Sequence, residues 1–338
     1  MYSRRGHVFA PRKRKRWFRW VLLWFLLLFS LGGVYTAVDN GRVVVRTQQV
    51  VAHKLPPALE GYTVLHIADL NARRFGPGQK QLQNALKTRS YSAVCLTGDM
   101  VGPSADAYPL YELLTVLDPS KPVFMIAGDS DPVAVGGQQA GYYTVLAEWV
   151  IGAQARGAQF LGEPMVQEVG GARVWFSDAA QLFLDMDGAS DAYAGSNTPV
   201  SAYYADILFK TRQARESMRD SDLHIALTHK PISLDASSLL LNVSDEGGSG
   251  FVRTVDAFLA GGTAGGQWRI PFVGPVWYEG WFPGDASVQG LSRAGILPQP
   301  QYISSGLGTD AKNPLPPIRL FNTPSVTLVT FTAHLDLE

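Results

Sequence analysis

Four short apolar runs in this 338-residue chain end alike, and they constrain the fold more than any other feature. YTVLHIAD (62–69), YSAVCLTGD (91–99), PVFMIAGD (122–129) and LHIALTH (223–229) each stop at an aspartate or a histidine. Runs this short suit strands better than helices. Helical patterns follow the first three, over 79–87, 108–117 and 142–156. Strand, polar turn, then helix is the grammar of an α/β fold, in which ligands bind beyond the carboxyl ends of parallel strands. Further strands are expected at ARVWFS, PQYISS, PIRLF and SVTLVTFTAHL, with less helix between them. Two stacked sheets flanked by helices would satisfy that order. The stretches 185–200 and 244–250 read as loops, and no repeat is visible. Hydrophobic residues make up 46% of the chain, enough for one packed domain over about 40–338.

In such a fold Asp69, Asp99, Asp129 and His229 meet at one edge of the sheet. A single aspartate after a strand is commonly a turn former or helix cap. Three carboxylates brought together repel one another, and a bound cation or a raised pKa is the usual remedy. Four polar residues at equivalent strand ends therefore point to a site. Cys95, the only cysteine, sits inside one of the apolar runs and reads as a buried thiol. His66 and His224 lie within strands and read as core residues.

The amino terminus carries a different signal. Residues 1–20 hold eight of the 29 basic residues and none of the 29 acidic ones. The rest then has 21 basic against 29 acidic side chains, a formal charge of −8 that disfavours a general nucleic-acid binder. The basic block Arg12 to Arg16 leads into Trp17, Phe18 and Trp20, and residues 21–38 carry no charge until Asp39. A span needs about 20 apolar helical residues, and basic flanks stay cytoplasmic. Tyr35 falls where a signal-peptide cleavage site wants a small residue. The expectation is a basic cytoplasmic segment (1–20), an uncleaved signal anchor (21–38) and an extracytoplasmic domain (40–338).

The blocks IADLNARRFG, LTGDMVG, AGDSDP, LTHKP and AGGTAGGQWRIP resemble, in order and spacing, the five motifs of the calcineurin-like metallophosphoesterases. With the closing segment QYISSGLGTDAKNPLPPIRLFNTPSVTLVTF, the likeness covers about residues 43–331 and is closest to the membrane-anchored, extracytoplasmic bacterial branch. It implies a four-layer α-β-β-α sandwich and two metal ions that acidify a water to attack a phosphoester. Asp69, Asp99 and His229 match the pattern. Asn71 stands where a ligand histidine is expected, Asp129 replaces a ligand asparagine, and Ser130 replaces the histidine that would be the general acid. Gly262 and Ala264 replace both histidines of the fifth motif. Asp69, Asn71 and Asp99 would remain at the first metal position, and Asp99, Asp129 and His229 at the second. Such a set implies at most one ion, oxygen-loving manganese or magnesium rather than zinc.

Three functions are compatible with this sequence. The first is a pseudoenzyme, kept as a binding or scaffold domain. The second is a hydrolase with one ion at Asp99, Asp129 and His229, acting on a lipid-linked or envelope phosphoester. The third takes AGDSDP as a serine-esterase block with Ser130 as nucleophile. Asp131, Asp178 and Asp310 are spare carboxylates that could complete a site. The aromatic stretch at Trp268, Trp277, Tyr278, Trp281 and Phe282 is either core or, if Trp277 and Trp281 are exposed together, a binding surface.

Overall fold

The computed structural model describes residues 16–136, 138–139, 142–183, 198–243, 254–283, 288–310 and 312–334. Most of the basic segment, and most or all of the loops read at 185–200 and 244–250, lie outside the described residues. The architecture is mixed α/β, with two six-stranded sheets and one apolar helix at the amino terminus.

The first sheet contains β1 (Val44–Val51), β2 (Thr63–Ile67), β3 (Ala93–Thr97), β4 (Val123–Ile126) and β5 (Ala158–Phe160). The carboxyl-terminal strand Ser325–Thr332 enters between β1 and β2, parallel to the former and antiparallel to the latter. From β2 through β5 every pairing is parallel. The second sheet runs Gly290–Arg293, Pro300–Ile303, Ala257–Ala260, Leu223–Thr228, Ala172–Asp178, Met165–Val169, with its four central strands parallel.

Burial on both faces explains why these strands read as continuous apolar runs. Along β3, Ala93 and Cys95 join one apolar cluster while Val94 and Leu96 join another. Phe124 and Ile126 of β4 likewise separate from Val123 and Met125. The cluster holding Ala93 and Phe124 also holds Phe176, Ile225, Leu259 and Tyr302 of the second sheet. Phe124 stacks on Phe176 at 4.1 Å between ring centroids. The other cluster packs β2 to β4 against the helices Lys80–Leu86, Tyr108–Val116 and Glu148–Gln154. Cys95, His66 and His224 are all buried, as read from sequence. His66 Nε2 meets Thr97 Oγ1 at 2.9 Å, and His224 is held by Ser177 and Thr254.

Three local expectations change. The helix expected over 142–156 spans only Glu148–Gln154. Residues just before it pair backward instead: Gly136 N–H donates to the Val145 carbonyl, and Ala147 N–H to that of Ala134. PIRLF is not a strand; Leu320 makes one isolated bridge with Trp268, and the preceding prolines bring no ladder donors. A 19-residue helix, Pro199–Ser217, was not anticipated. Its start is nevertheless written in Thr-Pro-Val-Ser: Thr198 and Ser201 form a capping box with proline at the first turn.

The rim of the second sheet yields a stability prediction. The Asp222 carboxylate accepts from Arg173 Nη2 at 2.5 Å, Trp175 Nε1 at 2.9 Å and the Arg219 N–H at 3.0 Å. Burial raises its pKa, but Arg173 and the other donors outweigh that and hold it below the usual carboxylate value. A depressed carboxylate stabilises the fold above its unfolded pKa, about 4, and that stability fades as pH falls through the folded value. Asp222→Ala should cost about 2–3 kcal/mol at pH 7 and progressively less in acid, read from melting curves between pH 7 and 3.

Candidate metal centre

Parallel strands deliver the site. Asp69 lies two residues past β2, Asp99 two past β3, and His229 directly after Leu223–Thr228. Asp69, Asn71 and Asp99 all adopt positive φ, near 50°, in the loops leaving the strands. Aspartate and asparagine tolerate this conformation better than other side chains, so the residue types suit the sharp exits. The exits interlock: Asn71 N–H donates to the Asp99 carbonyl at 2.7 Å, and Asp69 N–H to that of Gly98 at 3.2 Å.

One oxygen each from Asp69 and Asp99 and one ring nitrogen of His229 lie within 4.8 Å of one another. The two aspartates are buried. Burial raises the pKa of each above the carboxylate range, and the His229 charge opposes the rise. His229 Nδ1 faces the Thr97 carbonyl at 3.2 Å, and a ring nitrogen can only donate to a carbonyl, which assigns the proton to Nδ1. Nε2 therefore faces Asp99 Oδ1, at 3.5 Å, with a lone pair when the ring is neutral. Two carboxylates and an imidazole whose Nε2 faces them are a donor set for one divalent cation. They do not make a set for two.

The glycine-rich loop after Ala257–Ala260 touches the site through its backbone. Gly262 N–H donates to Asp69 Oδ1 at 2.8 Å and Ala264 N–H to Oδ2 at 3.2 Å. Positions that the resemblance fills with histidine ligands thus supply two amide dipoles to the first carboxylate. Gly262 has φ +70°, and a Cβ on it would stand 2.7 Å from the His229 carbonyl oxygen. Asn71 lies beside the same corner; the Oδ1 and Nδ2 of its carboxamide are buried without hydrogen-bond partners.

Asp129 is not with the triad. Its carboxylate is half-exposed and paired with Lys230 Nζ at 2.7 Å, with Lys312 Nζ at 3.6 Å. The Lys230 contact, before the other charges, holds the Asp129 pKa below the usual carboxylate value. Of the set Asp99, Asp129 and His229 expected from sequence, Asp99 and His229 group with Asp69, while Asp129 lines the same cleft with its carboxylate turned to Lys230. The signal for Lys230 was present, since LTHKP places it directly after His229, but nothing in the pattern says where its ammonium lands.

Ser130 donates its N–H to Asp99 Oδ1 at 2.8 Å, and its hydroxyl also bonds that carboxylate. Its hydroxyl is therefore on a carboxylate rather than an imidazole, which is not the arrangement that activates a serine. Asp131 is committed elsewhere, accepting four backbone N–H groups. Asp178 accepts from Ala180 N–H beyond its strand. Asp310 lines a cleft of about 100 Å³ together with Asp99, His229, Lys230, Tyr278 and Lys312. Trp281 is exposed at 62%, while Trp277, joined to it by a backbone bridge, is half-buried against the cleft.

No family model and no curated protein matches the chain. Among solved structures, a phosphopantetheinyl hydrolase from Mycobacterium tuberculosis aligns with 66% of this chain and 88% of its own, at 13% identity and a TM-score of 0.34. GAP50, the anchor in the inner membrane complex of Plasmodium, aligns over 72% of this chain and 71% of its own, at 12% identity and a TM-score of 0.31. Both likenesses are distant.

Proposed function

We propose that this chain is a membrane-anchored relative of the calcineurin-like metallophosphoesterases that has lost two-metal hydrolysis and serves as a binding or scaffold domain outside the cytoplasm. The observation that carries this reading is the Lys230–Asp129 pair at 2.7 Å. A protein ammonium offsets the carboxylate that a second cation would have to claim. The Gly262 and Ala264 amides act similarly on Asp69, and Ser130 stands where a general acid is needed.

Three apolar clusters, one of them shared by both sheets, support the four-layer layering of that family. The pairing of the last strand with β1 and β2 supports a single domain over 40–338. The anchor reading rests on helix Arg16–Gly41, which is long and apolar enough to cross a bilayer. The basic residues before it support a cytoplasmic amino terminus.

A second reading is favoured by the Asp69, Asp99 and His229 triad, which fits one manganese or magnesium ion. A bound ion would neutralise phosphate charge and lower the pKa of a water, allowing hydrolysis of a lipid-linked or envelope phosphoester. In that case Asp69, Asp99 and His229 hold it, and Lys230 and Lys312 face the anionic ligand across the cleft.

Metal content of the full chain in lipid nanodiscs, offered manganese, magnesium, zinc and iron, separates the readings, with Asp99→Ala as control. The binding-domain reading expects no metal-dependent turnover of a generic phosphodiester above that control. Two stoichiometric ions, or turnover abolished by Asp99→Ala, would overturn it. One stoichiometric ion with such turnover establishes the single-metal hydrolase.

A further inference from the structure

Past the glycine-rich loop the chain builds an apolar rim whose large side chains are half or more exposed at most positions. Arg269–Ile270 pairs with Gly274–Pro275 in a hairpin whose tip is Phe272 and Val273. Arg269 N–H donates to the Leu320 carbonyl and Trp268 Nε1–H to that of Ile318, fastening the hairpin to the segment 318–321. Phe282 N–H donates to the Val276 carbonyl, which brings Trp281 and Phe282 to the same structure. Ile270, Phe272, Val273, Trp281, Phe282 and Phe321 are exposed by 42% to 109%.

Three of these residues are also in an expensive conformation. Phe272, Phe282 and Phe321 have φ of 66°, 48° and 51°. Bulky side chains are uncommon in the left-handed region, where glycine or asparagine costs less. A phenylalanine that is exposed and strained gains little from folding in water, and a partner that covers it would add the missing stabilisation.

The position of the rim names what covers it. Phe321 lies against Tyr35 of the amino-terminal helix, with ring centroids 5.9 Å apart. The junction is rigidly tied: Asn40 Nδ2 donates to the Arg319 carbonyl, Arg319 N–H to Asn40 Oδ1, and Thr323 Oγ1 to Asp39. The stretch from Trp20 to Val38 carries no charge, and at 1.5 Å per residue measures roughly 28 Å. A hydrocarbon core of about 30 Å centred on it leaves Tyr35 inside the apolar boundary. Phe321 is therefore carried to membrane depth by the helix itself.

We infer that the hairpin tip Phe272–Val273, Trp281–Phe282 and Phe321 enter the outer leaflet of the bilayer that holds the helix, as a second point of attachment. Trp277 and Tyr278 line the cleft, and Trp277 is bridged to Trp281 of the rim, so attachment brings the cleft close to the bilayer surface. This inference rests on the anchor reading.

A single buried thiol, Cys95, makes the test clean, because Phe272→Cys then offers one accessible label site. The full chain in nanodiscs, carrying an environment-sensitive fluorophore at position 272, should show blue-shifted emission. Lipids with a nitroxide near the headgroup end of the acyl chain should quench it. The same label introduced by Trp281→Cys should behave alike, and by Val166→Cys, on the edge strand Met165–Val169, should keep water-like emission. Water-like emission at 272 and 281, in a chain that stays in vesicles through a carbonate wash, would overturn the attachment. So would a blue shift that nitroxide lipids leave unquenched, which would assign the rim to a second copy or another protein. A chain removed by the wash loses the anchor, and the attachment with it.

Discussion

Replacing Arg319 with alanine should cost the fold about 3–5 kcal/mol, the range expected when a large buried side chain leaves both a cavity and orphaned polar groups. Arg319 is wholly buried, an unusual place for a guanidinium. Burial pushes its pKa down to about 9, which still leaves it charged at neutral pH. Main-chain carbonyls rather than a carboxylate meet that charge: Nε donates to Asn322, Nη1 to Gly308 and Nη2 to Ser305, at 2.6–2.8 Å. The segment 304–308 that it braces lies against Asp69, and a Cβ on Gly306 would stand 2.6 Å from Asp69 Oδ2. Arg319→Lys should lose most of the same stability, because one ammonium cannot reach three diverging carbonyls. Melting of both variants in nanodiscs checks this. A loss under about 1 kcal/mol for alanine would mean that the carbonyls are satisfied without the guanidinium.

Arg319 also shows where sequence reasoning stops. In PIRLF the arginine stands between isoleucine and leucine, and the apolar pattern suggests a strand. What decides its place is the convergence of carbonyls from Ser305, Gly308 and Asn322, which no local pattern records. The parallel strands were legible because burial on both faces leaves a mark that is purely local: short, mainly apolar runs with no charged residue until the exit. Their exits were legible for the same reason, and the structure does bring Asp69, Asp99 and His229 together. The pairing of Asp129 with Lys230 was not legible, because a strand end in the sequence does not record the direction of a half-exposed side chain. The glycine-rich loop, with glycine and alanine where the resemblance expects histidines, contributes two backbone amides instead, and backbone donors have no letter in a sequence.

The same blindness to backbone donors applies to Asp131, where the second large effect is expected. From sequence it is a surviving carboxylate of a metal-site motif, free to turn toward an ion. In the structure Oδ1 accepts from the N–H groups of Val101 at 2.7 Å and Gly102 at 2.9 Å. Oδ2 accepts from Gly128 at 2.9 Å and Met100 at 3.3 Å. One carboxylate thus ties the exit loop of β3 to that of β4, the two loops that deliver Asp99 and Asp129. Asp131→Ala orphans four donors beside a site whose aspartates are buried, and a cost of about 3–5 kcal/mol follows from roughly 1 kcal/mol for each. Asp131→Asn should lose about half as much, since its carboxamide keeps one accepting oxygen and turns a donor against the remaining amides. Protection of the Val101 and Gly102 amides against hydrogen exchange should fall in both variants, more steeply in alanine. If Asp131 were a mobile ligand instead, alanine would leave stability and protection near those of the parent chain, and only metal uptake would change. The geometry requires the opposite order: the loops loosen first, and any loss of metal follows from Asp99 being delivered less firmly.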